Sequence, residues 1–139
     1  MTEYAGDITP QQAWEMVEDG AILVDVRTAA EWQWVGVPDT VPAGAPPVFI
    51  EWVTWPGGAP NATFMQQLLE AGLTPGEERP VVFLCRSGQR SIGAAKAATE
   101  AGIGPAYNIL DGFEGAPDAS GHRGGAAGWK ALGLPWRQG

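Results

Sequence analysis

Two short apolar runs constrain this chain more than any other feature. "AILVDV" (Ala21–Val26) and "VVFLC" (Val81–Cys85) are rich in β-branched residues, and Asp25 is their one interruption. A strand that is apolar at successive rather than alternate positions is buried on both faces, as strands inside a parallel sheet are. Helical segments punctuate the same chain. Thr9 can cap a helix that starts at Pro10 and stops near Gly20. "NATFMQQLLEAG" predicts a helix from Asn61 to Ala71, with Asn61 as cap, Phe64, Leu68 and Leu69 on one face, and Gly72 as the stop. An alanine-rich helix follows from about Gln89 to Ala101, closed by Gly102; "AYNIL" (Ala106–Leu110) predicts a third buried strand and "GWKALGLPW" (Gly128–Trp136) a short closing helix. Strands alternating with helices give an α/β fold: a mostly parallel central sheet with helices on both faces and right-handed crossovers.

A chain of 139 residues with 45% hydrophobic content fills one core and scarcely two, so residues 1–139 are expected to form one domain. Two long segments do not fit the alternation. Residues 37–62 are rich in proline and carry Trp52 and Trp55, with "PVFI" as a possible strand; residues 111–128 are rich in glycine and hold the single histidine, His122. Segments of this length in a compact domain are either functional or disordered, and the aromatic residues favour order. The net charge of −8, with eight Lys and Arg in all, disfavours nucleic acid and anionic membrane surfaces as partners. The amino terminus has neither the basic start nor the apolar run of a signal peptide, and no stretch approaches the length of a membrane span, so the expected compartment is the cytoplasm. One cysteine forms no internal disulfide, and neither a metal nor a cofactor is expected.

Cys85 is therefore either inert packing or a reactive thiol, and the residues after it favour the second. In "CRSGQRS", Cys85 ends a central strand, where α/β sheets place their ligands. Gly88 allows the sharp turn that points successive N–H groups into one concavity, and the helix beginning near Gln89 adds its positive end. Such surroundings favour the thiolate and make it a nucleophile. Arg86 and Arg90 add charge and paired donors for an oxyanion. Arg86, next to the cysteine, is expected at the pocket mouth as the contact for an anionic donor. Arg90, five positions on, is expected to brace the loop by reaching backbone carbonyls.

These residues carry a resemblance. "LVDVRTAAEW" (Leu23–Trp32), "CRSGQRS" and "NILDGFEG" together resemble a single-domain rhodanese, a sulfurtransferase of the rhodanese-like superfamily, and the cysteine loop is the specific piece. The resemblance implies that Cys85 takes the outer sulfur of a small anionic donor such as thiosulfate, holds it as a persulfide, and passes it to a nucleophilic acceptor. Arg86, Ser87, Gly88, Gln89, Arg90 and Ser91 would bind the substrate, with Asp25, Arg27 and Glu31 in support. With no second cysteine, the acceptor must come from outside: cyanide in an assay, a thiol or partner protein in a cell.

The sequence departs from the family pattern in two places. "VGVPD" lacks the histidine usual after the early glutamate, and Trp129 follows the late glycine turn only after an apparent insertion containing His122 and Arg123. His122 is read as an exposed loop residue, Arg27 and Glu31 as a mutual ion pair, and Asp25 as hydrogen-bonded to backbone near the active loop. Trp32, Trp34, Trp52 and Trp55 are candidates to line the pocket. A cysteine-based phosphatase is a weaker alternative, because that family sets five residues between cysteine and arginine, whereas Arg86, Ser87, Gly88 and Gln89 alone separate Cys85 from Arg90. A non-catalytic rhodanese-like module for partner binding or regulation is the other, and such modules usually lose the cysteine.

Overall fold

The computed structural model describes residues 4–54, 59–115, 119–121 and 127–138. The two apolar runs lie side by side at its centre. Strand β2 (Ile22–Asp25) pairs in parallel with β5 (Glu78–Leu84), Leu23 opposite Val82 and Asp25 opposite Leu84. Around them the sheet extends through β6 (Gly104–Ile109) to β1 (Gly6–Ile8) on one side and to β4 (Val48–Phe49) on the other, and every pairing is parallel.

Alternation along the strands sends side chains to opposite faces. Val24, Val26, Val81 and Phe83 meet α3 (Phe64–Glu70) and α4 (Arg90–Glu100) through Phe64, Leu68, Ala94, Ala95 and Ala98. Leu23, Val82, Leu84 and Ile109 meet α1 (Pro10–Glu18) through Ala13 and Val17, together with Phe113 and Trp129. Phe83 and Leu84 are fully buried, and each such side chain stabilises the fold by about 1.5–3 kcal/mol relative to an exposed one. The alanines of α4 let its axis approach the sheet closely. Gly93 carries this further, since a Cβ there would lie 2.9 Å from the Trp52 ring, which stacks edge-on against Phe64.

The helix predicted from Asn61 begins later, at Phe64. Asn61 Oδ1 accepts from the Thr63 N–H at 3.1 Å, while its Nδ2 donates to the Glu51 carbonyl and to Gln67 Oε1, both at 2.7 Å. Asn61 thus ties the approach to α3 onto the segment after β4 instead of capping a helix. The closing helix is also absent. Residues 128–134 form turns, with Gly133 at φ 74°, and Trp136–Arg137 become strand β7, antiparallel to β3 (Val37–Pro38). Pro135 and Gly133 leave too few helix-compatible residues for a second turn.

Helix α2 (Ala29–Trp34) lies between β2 and β3. Its six residues are too few for a periodic signal, but Thr28 and Glu31 form a reciprocal capping box at its start. Within residues 37–62 the chain also makes a 3-10 turn at Val41–Ala43 before β4. Trp55, His122 and Arg123 lie outside the described residues. No helix among the described residues is long and apolar enough to cross a membrane.

Candidate active site

Cys85 follows the last residue of β5 and is 1% exposed. It points to the α4 face of the sheet, the side shared by Val81 and Phe83. The turn after β6 then wraps the cysteine loop from behind. Phe113 N–H donates to the Cys85 carbonyl at 2.8 Å, and the N–H groups of Glu114 and Gly115 donate to the Arg86 carbonyl at 3.0 and 3.2 Å. Gly112 is required there, because a Cβ would fall 2.3 Å from the Cys85 carbonyl oxygen.

With these carbonyls held from behind, the loop turns at Gly88, whose φ of 93° is a glycine conformation. Its N–H donates to Cys85 Sγ at 3.1 Å, and Ser91 Oγ lies 3.2 Å from the same sulfur. Both partners stand at the amino-terminal start of α4, so the helix end adds positive potential at the thiol. Arg86 is exposed beside the loop, Ser87 half-buried and Gln89 exposed. Of the loop residues from Cys85 to Ser91, Gly88 and Ser91 are the ones brought onto the sulfur.

The supporting charges are arranged differently from expectation. Among the described residues Arg90 reaches no backbone carbonyl; its two terminal nitrogens donate to the Glu31 carboxylate at 2.7 and 2.9 Å. Burial pushes the Glu31 carboxyl up, but the hydrogen bonds and charge of Arg90, helped by the Thr28 N–H, outweigh it and hold the group below its ordinary value. The bond to Glu31 raises Arg90 in turn, against the opposing effect of burial.

Arg27 therefore does not pair with Glu31. It is fully buried against Asp25, with Nε 2.9 Å from Oδ1 and Nη2 2.5 Å from Oδ2, and it also donates to the Gly36 carbonyl at 2.9 Å. Its guanidinium carbon lies 4.3 Å from the centre of the Phe113 ring, a cation–π contact. Asp25 bonds to the backbone of Arg27, at 3.1 Å, and not to the cysteine loop. The register explains why: Asp25 lies opposite Leu84, so it faces the α1 side while Cys85 faces the α4 side.

Of the tryptophans, Trp52 packs against Gly93 in the core, Trp32 stacks edge-on with Phe49, and Trp34 is 72% exposed. Asn108 is the site residue that sequence reasoning missed. It is fully buried on β6 and receives the Ser91 hydroxyl. An asparagine inside the otherwise apolar strand "AYNIL" was the available signal, since a buried amide demands partners.

A family model for the Rhodanese-like domain matches residues 9–132. A protein of Rickettsia conorii is 36% identical over 133 residues, covering 94% of this chain and 96% of its own. The thiosulfate sulfurtransferase GlpE of Pseudomonas savastanoi pv. phaseolicola is 31% identical over 114 residues, 82% of this chain and 88% of GlpE. Among solved structures, Rv0390 from M. tuberculosis is 59% identical with a TM-score of 0.87, covering 98% of this chain and 99% of that one. The polysulfide-sulfur transferase of Wolinella succinogenes, at 22% identity and a TM-score of 0.65, shares the fold. A parallel sheet with a cysteine loop between its central strand and α4, matched along nearly the whole length, makes the chain a member of the rhodanese-like family.

Proposed function

We propose that the protein is a sulfurtransferase that carries a sulfane sulfur on Cys85, with thiosulfate or a related anion as donor. The observation that carries this reading is the Gly88 N–H aimed at Cys85 Sγ at 3.1 Å, at the start of an 11-residue helix. In the first half-reaction the Cys85 thiolate attacks the outer sulfur of thiosulfate. A new S–S bond forms, the old one breaks, and sulfite leaves with the bonding pair. In the second, an external thiolate attacks the outer sulfur of the persulfide and returns the electron pair to Sγ. The chain has one cysteine, so the acceptor comes from outside.

Arg86 is the donor contact in this scheme. Arg90 has both terminal nitrogens committed to Glu31, so its part is to hold the loop. The names of the GlpE relatives support the donor class. The test is intact mass spectrometry after incubation with thiosulfate. One added sulfur atom on the wild-type chain, removed by cyanide and absent from Cys85→Ser, is the expected result. An unchanged mass would favour a non-catalytic module.

A further inference from the structure

The Ser91 hydroxyl has one hydrogen, and the structure determines where it goes. Asn108 lies on β6 opposite Asp7 of β1 on one side and Phe83 of β5 on the other. Its Nδ2 is 3.0 Å from Asp7 Oδ1 and 3.2 Å from the Gly88 carbonyl. A carboxylate and a carbonyl only accept, so both amide hydrogens are spent on them and the orientation of the amide is fixed. The flipped amide would set oxygen against two oxygens. Oδ1 therefore faces Ser91 and takes its hydroxyl hydrogen. What remains on Ser91 Oγ is a lone pair, and it lies 3.2 Å from Cys85 Sγ.

We propose that Asn108 is a positioning residue that holds the Ser91 hydroxyl as an acceptor toward Cys85, so that it favours an uncharged Sγ and opposes negative charge there. In the thiol, S–H donates to Ser91 Oγ. When that proton leaves for solvent, either the lone pair faces an anion, or Ser91 turns to the sulfur and strands Asn108 Oδ1. Ser91 and Asn108 are both fully buried, so the stranded oxygen finds no water and the cost is real in either case. In a persulfide, Sγ is bonded to the outer sulfur and the negative charge sits on that outer atom. The arrangement thus suits the thiol, whose S–H meets the Ser91 lone pair. It opposes the loaded persulfide, whose charge lies one atom further out, less than the thiolate that the Gly88 N–H and the helix end support. Asn108 thus favours charge on the outer sulfur over charge on Sγ, and biases the loaded form over the free thiolate. This consequence rests on Cys85 being the sulfur carrier; the hydrogen-bond polarity does not.

The charged groups around the thiol are Arg90, paired with Glu31 of α2, and Arg86 in the loop. Asp25 with Arg27 lies across β2, Asp7 behind Asn108, and Asp111 and Glu114 in the turn after β6. The substitutions keep every one of these residues; replacing Asn108 also removes the amide contact to Asp7 Oδ1, an effect that is present equally in the Ser91→Ala background and is read there. The rate of iodoacetamide alkylation is measured against pH by intact mass on the full chain, where the single cysteine is the thiol that reacts. No sulfur donor is involved, so the outcome is independent of whether the protein transfers sulfur.

Asn108→Leu releases the Ser91 hydrogen to the sulfur, and the alkylation midpoint is expected to fall by about one pH unit, a tenfold gain in thiolate over thiol. Ser91→Ala removes the opposing lone pair, and its midpoint is also expected to fall. In the Ser91→Ala background, Asn108→Leu is expected to shift nothing further. Asn108→Val, suited to a strand, repeats the measurement if Asn108→Leu does not fold. A midpoint that rises in Ser91→Ala would mean that Ser91 donates to the sulfur and would overturn the proposal. So would an Asn108 shift of equal size with Ser91 already gone.

Discussion

Replacing Glu31 with alanine tests how α2 is coupled to the cysteine loop. The carboxylate accepts from Arg90 Nη1 and Nη2 at 2.7 and 2.9 Å, and from the Thr28 N–H and hydroxyl, each at 3.2 Å. The two side chains keep 20% and 27% of their exposure. The pair therefore falls between exposed ion pairs, worth about 0–1 kcal/mol, and fully buried ones, whose breaking costs about 3–5 kcal/mol. About 2 kcal/mol is a fair value for losing it, and the capping contact to Thr28 adds about 1 kcal/mol. For a domain of this size each kcal/mol moves the melting temperature by about 4 °C, so Glu31→Ala is expected to lower Tm by about 12 °C. Glu31→Gln keeps an acceptor for Thr28 and loses the charge, so its Tm is expected to fall about half as far. A double-mutant cycle in thermal or urea unfolding isolates the pair, and Glu31→Ala with Arg90→Ala is expected to give a coupling of about 1–2 kcal/mol. Additivity within about 0.3 kcal/mol would refute the coupling and return Glu31 to a purely local cap of α2.

Because Glu31 sits below its ordinary 4.5 in the folded chain, the stability it confers is complete above that pH and is lost as pH falls through the lower folded value. The stability gap between wild type and Glu31→Gln, followed by urea unfolding, should therefore close in acid; a gap that widened would contradict the assignment. Cys85→Ser is expected to abolish persulfide formation and cyanide-dependent thiocyanate release while leaving the circular dichroism unchanged, since a serine hydroxyl does not ionise at neutral pH. Arg86→Ala is expected to raise KM for thiosulfate more than it lowers kcat. Because Arg86 is exposed, solvent limits the loss to about 1 kcal/mol, or about fivefold. An equal loss with an uncharged persulfide donor would remove Arg86 as the anion contact.

How far the sequence could be read followed the length over which each physical signal accumulates. "AILVDV" and "VVFLC" announced a parallel sheet because burial on both faces leaves no polar position to choose, and the structure has them paired at its centre. "GDI" and "AAEWQW" are too short for any period to emerge, so β1 and α2 were missed, although Thr28 and Glu31 stood at capping-box spacing. The turn of the cysteine loop was legible because one glycine and one helix start fix where the Gly88 N–H points. Partner choice among charged side chains was not legible, since it depends on which face of the sheet each residue occupies. Arg27 is two residues from Asp25 and four from Glu31, and either pairing was sterically open to the sequence. The register of Asp25 with Leu84 decides between them: it buries Asp25 beside Phe113 on the α1 face, where an unpaired carboxylate would be costly and Arg27 is the cation at hand. Glu31, one helical turn later at the start of α2, is then left to Arg90, at the end of the cysteine loop where α4 begins. Two ion pairs that look interchangeable in the sequence are thus sorted by the strand alternation that also turns Cys85 toward α4, so the placement of the supporting charges and of the thiol has one geometric cause.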